Sequence, residues 1–74
     1  MTWEERLNMH VDAHREHANK AREALRAFNA QMHLPGCQRD WSLYDTYRTE
    51  LKEANRQHGI VMAMYTRKFN KEGE

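Results

Sequence analysis

Between Leu7 and Met32 the non-charged positions advance in alternating steps of four and three: Leu7, Val11, His14, Ala18, Ala21, Leu25, Phe28 and Met32. Residues three and four apart lie above one another on an α-helix, so this alternation marks one stripe along one helical side. A second series, Trp3, His10, His17, Ala24 and Gln31, repeats at heptad spacing on the adjacent flank. The first helix thus presents a face wider than a two-stranded coiled coil requires, with room for more than one neighbour. The same alternation returns as Tyr44, Tyr47, Leu51, Ala54, His58, Val61 and Tyr65, with Trp41, Met62 and Phe69 along one flank and Leu43 and Met64 along the other.

The ends of these stripes carry helix punctuation. Thr2 and Glu5 have capping-box spacing: the Thr hydroxyl accepts from the Glu5 amide while the Glu5 carboxylate reaches back to the Thr2 amide. No Gly or Pro follows until Pro35, which disfavours the helical conformation at Leu34. A first helix over residues 3–33, a loop over 34–40 and a second helix over 41–70 are therefore expected, with Asp40 or Ser42 capping the second and residues 71–74 fraying. Gly59 costs about 1 kcal/mol relative to Ala inside a helix, yet the stripe resumes in register beyond it, which predicts a continuous helix. Outward pairs such as Asp12–Arg15, Glu16–Lys20 and Glu23–Arg26 read as a solvated face.

Two striped helices joined by a short loop make an all-α antiparallel hairpin, with residues 1–74 as one domain. Folding about residues 34–40 sets Phe28 opposite Tyr47, Leu25 opposite Leu51, Ala21 opposite Ala54, Ala18 opposite His58 and Val11 opposite Tyr65. Alanines at 18, 21, 24 and 54 permit close backbone approach, and Phe28, Trp41, Tyr44 and Tyr47 fill the loop end.

Composition matters for assembly. A 74-residue chain that is 31% charged and only 39% hydrophobic, with a mean hydropathy of −1.11, has little to bury as a monomer. Residues 60–65 are apolar nearly all round, more than one neighbouring helix covers. Trp3, Leu7, Met9, Val11, Ile60, Met62, Met64, Tyr65 and Phe69 are accordingly the expected partner or oligomer interface, and a homodimeric four-helix bundle the expected assembly. Twelve Lys and Arg against eleven Asp and Glu give no strong pull toward nucleic acid or an anionic membrane. The single Cys37 excludes an internal disulfide and fits a reducing compartment. With no apolar leader and no run of membrane-spanning length, a cytoplasmic location is expected.

Candidate chemistry is sparse. His10, His14 and His17 share one helix face at a spacing suited to a transition metal, but no carboxylate or cysteine of that helix stands beside them. A structural polar layer shared with His58 is the expected role, with no metal or other cofactor. Arg48, Lys52 and Arg56 form a basic ridge flanked by Tyr44 and Tyr47, the candidate contact for RNA or a nucleotide. There is no Gly-rich phosphate loop, no catalytic triad and no carboxylate pair in the stripes, so an enzyme is not expected. The leading expectation is a small non-enzymatic module that binds another protein as an inhibitor, anti-activator or adaptor, of the kind phages and plasmids encode. An RNA- or nucleotide-binding bundle ranks second and a His-rich metal-binding bundle third.

Overall fold

The computed structural model describes residues 1–72. Two α-helices, α1 (Trp3–Asn29) and α2 (Trp41–Glu72), pack side by side and are joined by residues 30–40, which include a short 3-10 turn at Gly36–Gln38. No strand occurs among the described residues, and the chain is an antiparallel helical hairpin measuring 58 × 20 × 13 Å. Gly73 and Glu74, half of the tail expected to fray, lie outside the described residues; Lys71 and Glu72 continue α2.

The helix starts follow side-chain capping. Thr2 Oγ1 accepts from the Glu5 amide at 3.1 Å, satisfying one of the free donors of the first turn. The reciprocal half of the box is replaced, because the Glu5 carboxylate receives the Thr2 hydroxyl instead of the Thr2 amide. Asp40, not Ser42, caps α2: its carboxylate accepts both the Ser42 amide and the Ser42 hydroxyl.

The end of α1 falls four residues earlier than the position of Pro35 suggests, at Asn29 instead of residue 33, and the loop spans 30–40 instead of 34–40. Beyond Asn29 the chain tightens, with Gln31, Met32 and Leu34 amides bonding three residues back. The loop's own side chains complete the stop. Arg39 donates to the Leu34 and Met32 carbonyls, the Gln31 side chain accepts the Asp40 amide, and the Trp41 indole donates to the Gly36 carbonyl at 2.7 Å.

This earlier turn shifts the register of the hairpin by one heptad. Ala54 meets His14, not Ala21, and Trp3, not Val11, lies against Tyr65. The inward face is also rotated. On α1 the buried and half-buried positions include Trp3, Leu7, His10, His14, His17, Ala21, Ala24 and Phe28, a 4-3 series drawn from both stripes. On α2 they include Leu43, Tyr47, Glu50, Ala54, Gln57, Val61, Met64 and Lys68. The second series replaces the expected one, leaving Tyr44, Leu51, His58 and Tyr65 exposed.

The core is a single line between two cylinders. Its buried members among the described residues are Leu7, Ala21, Ala24, Phe28, Ala54 and Val61, together with Gln57. Alanine at three of these apolar positions brings the backbones close and leaves little side-chain volume to bury. The loop end is the exception, where Phe28 packs at 5.2 Å from Trp41 and 5.5 Å from Tyr44, ring centre to ring centre.

Helix α2 runs unbroken through Gly59, and a Cβ built there would meet nothing within 4 Å. The glycine serves no close approach. Gly59→Ala should therefore stabilise the hairpin by about 1 kcal/mol, a rise in Tm of roughly 4–8 °C for a domain of this size. A thermal melt followed by circular dichroism reads this directly, and an unchanged or lower Tm would show that a neighbour occupies the space.

Candidate functional site

Three histidines of α1 reach across the seam to three successive turns of α2. Each donates through Nδ1 to an oxygen: His10 to Gln57 Oε1 at 2.7 Å, His14 to the Ala54 carbonyl at 2.9 Å, and His17 to Glu50 Oε2 at 2.5 Å. Because a carbonyl or carboxylate oxygen only accepts, each bond places the proton on Nδ1. The orientation of the Gln57 amide is fixed independently, since its Nε2 donates to Glu53 Oε1 at 3.1 Å. Glu53 in turn takes a two-pronged bond from Arg56. The result is a polar ladder running from a half-buried seam out to solvent, with no buried side-chain polar atom lacking a partner among the described residues.

His58 lies outside this ladder. It is exposed, and its ring stands 5.5 Å from that of His14. The carboxylate absent from α1 comes from α2 as Glu50, a partner that the face of one helix does not display. Its signal was Glu50, Ala54, Gln57 and Val61 advancing by 4, 3 and 4 in step with His10, His14 and His17. Among the described residues, no group of three or more His, Cys, Asp and Glu is arranged to hold a metal ion. The His17–Glu50 pair has the form of an oriented base, but no hydroxyl or thiol is bonded to the His17 ring.

Hydrogen bonds from Arg56 first, and then from Gln57, hold the Glu53 carboxyl down to about 2 from its ordinary 4.5; the same pair raises the Arg56 guanidinium. A carboxyl depressed in the folded state binds its proton more readily once unfolded, so its contribution is complete above pH 4.5 and fades as the pH falls from 4.5 toward 2. A carbon-detected NMR titration should find Glu53 half-protonated near pH 2, and Arg56→Gln should move it toward 4.5. A Glu53 that titrates near 4.5 in the wild-type protein would mean that the pair does not persist in water.

The basic ridge is differently constituted from its sequence pattern. Arg48, Lys52 and Arg56 are all exposed along α2, but Arg56 is committed to Glu53. Glu53 also lines the same shallow depression as Lys52 and Arg56, so the local field is mixed.

The residues expected at an interface divide into three groups. Leu7 is buried within the hairpin, and Trp3 is half-buried, edge-on to Tyr65 at 5.9 Å with Lys68 Nζ above its ring at 4.1 Å. Met62, Tyr65 and Phe69 are exposed on one flank of α2, continuous at helical spacing with Tyr44 and Leu51. Half-buried Val11, Ala18 and Leu25 occupy the matching flank of α1. Met9, Ile60 and Met64 turn toward the opposite flank by the same helical arithmetic. Leu51 and Tyr44 are the additions to the interface set: they read from sequence as inward seam residues and stand outside it.

No family model, curated protein or solved structure matches this chain. Function must therefore come from the surfaces themselves. No helix among the described residues is long and apolar enough to cross a membrane.

Proposed function

We propose that this hairpin is a cytoplasmic, non-enzymatic interaction module that self-associates as a four-helix bundle and acts by occupying a surface of another protein, as an inhibitor, anti-activator or adaptor. The observation that carries the reading is the exposed stripe of α2. Tyr44, Leu51, Met62, Tyr65 and Phe69 retain 36, 38, 51, 39 and 69% of their surface, while polar Glu50 and Gln57 occupy the seam within the hairpin. An exposed apolar stripe on so polar a chain, interrupted by His58 between Leu51 and Met62, is the mark of a contact. Because Val11, Ala18 and Leu25 continue it on α1, one face of the whole hairpin is available to a two-fold partner. Two such faces together enclose a core that a single line of alanines does not provide.

What supports a non-enzymatic role is that His17, the histidine oriented by a carboxylate, has no hydroxyl or thiol bonded to its ring among the described residues. Tagged protein recovered from its native cells should retain the same protein companion with and without nuclease. Replacing Arg48, Lys52 and Arg56 together by Gln should leave that companion in place, since exposed helix cations contribute little to folding. Recovery of nucleic acid that the triple variant loses would put the RNA-binding reading in its place.

A further inference from the structure

The flank opposite the Leu51 stripe carries a second, differently built surface. At the open end of the hairpin, Arg6 of α1 and Arg67, Lys68 and Lys71 of α2 line one groove of about 680 Å³ together with Trp3 and Met64. Four cations gather here on a chain whose net charge is only +1. None of the four belongs to an ion pair among the described residues, where the pairs are His17–Glu50, Lys20–Glu16 and Arg56–Glu53. Among the described side chains at this end, Glu4 lines the groove on the other side of Trp3, with Tyr65 and Phe69, and Glu5 is engaged by Thr2.

Helix electrostatics do not account for this gathering. A cation in the last turn of α2 complements the helix dipole, which explains Lys71. Arg6 stands at the beginning of α1, where the dipole disfavours positive charge, and Arg67 lies more than a turn before the end of α2. Between the cations the floor is apolar, made by the Trp3 indole, Met64 and the aliphatic stems of the basic side chains.

We propose that this groove docks a short acidic segment of the protein partner, with carboxylates against Arg6 and Arg67 and an apolar side chain against Trp3 and Met64. Charge complementarity selects the occupant, since guanidinium groups pair carboxylates through two parallel bonds. A nucleobase is disfavoured as the occupant because Lys68 already covers one face of the Trp3 ring, leaving less aromatic surface for stacking. The inference rests on the protein-binding reading above and adds the chemistry of the partner to it.

The test uses the full chain and a dye-labelled peptide of Glu and Asp around a central Leu-Phe pair, read by fluorescence anisotropy. Its controls are the same peptide with Lys for every acid, an oligothymidylate, and phosphatidylserine-containing vesicles. The acidic peptide should bind in preference to all three, quench Trp3, and bind roughly tenfold more weakly to Arg6→Gln/Arg67→Gln, with an unchanged thermal melt. Loss of binding with added salt should be graded. The proposal is overturned if the acidic peptide binds no better than the basic one, if the double variant binds it equally well, or if the oligonucleotide or vesicle is preferred. Sedimentation of the same samples separates the two ideas: a monomer that binds the acidic peptide defeats the bundle and keeps the groove, whereas a dimer that ignores it does the reverse.

Discussion

Sedimentation equilibrium at micromolar concentration should return twice the 8.9 kDa chain mass for the wild-type protein, and the chain mass itself for Leu51→Glu. Leu51 is 38% exposed in the isolated hairpin, so a carboxylate there meets water and leaves the two-helix unit little changed. In a bundle built on the Leu51 stripe, the same carboxylate enters an apolar contact twice, once from each copy, and an unpaired buried charge costs several kcal/mol. Met62→Glu should act the same way from farther along the stripe, and Arg48→Glu, on the outer ridge, should leave the dimer intact. Helical circular dichroism keeps the experiment readable, because a variant that is monomeric and helical has lost the interface and not the fold. A wild-type protein that sediments as a stable monomer would remove the four-helix bundle.

The second large effect belongs to Phe28. It is the largest buried side chain of the seam, 5% exposed, and packs on both Trp41 and Tyr44. Truncating a buried Phe to Ala typically costs 3–5 kcal/mol through lost transfer energy and the cavity left behind. A core of this size supplies about 3–5 kcal/mol in all. Phe28→Ala should therefore abolish the cooperative thermal transition at room temperature, while Phe28→Leu, which keeps most of the volume, should lower the Tm and retain the fold. A Phe28→Ala protein that melts within a few degrees of the wild type would show that the aromatic cluster is not what holds the loop end together.

Much of this architecture was written in local patterns. Two helices, the Thr2 cap, the continuity of α2 through Gly59 and the aromatic loop end all follow from spacing and propensity within one segment. What escaped was relational. The end of α1 was legible only as a limit set by Pro35, because the bonds that stop the helix come from Arg39 and Gln31 side chains folding back. Ending α1 four residues early moved the seam partners of Ala54 and Tyr65 by seven and eight residues, since a 4-3 stripe looks the same after seven.

The rotation of α2 has a different cause. Ranking stripes by hydrophobicity turns Leu51 and Tyr65 inward, yet Glu50 and Gln57 take the seam because His17 and His10 stand opposite to receive them. Complementarity between two helices is invisible in the pattern of either alone. The groove at the open end was hidden for the same reason, since Arg6 and Arg67 are far apart in the chain and neighbours only after folding.

The polar ladder sets the mechanical character of the pair. Alanine-lined helices slide past one another over a smooth, nearly periodic surface, and dispersion alone distinguishes poorly between one notch and the next. Here a slip of a single notch would break the His10–Gln57, His14–Ala54 and His17–Glu50 bonds together and leave several of their groups desolvated. The hairpin is thus a ratchet with one engaged position: its helices are either locked in this alignment or apart.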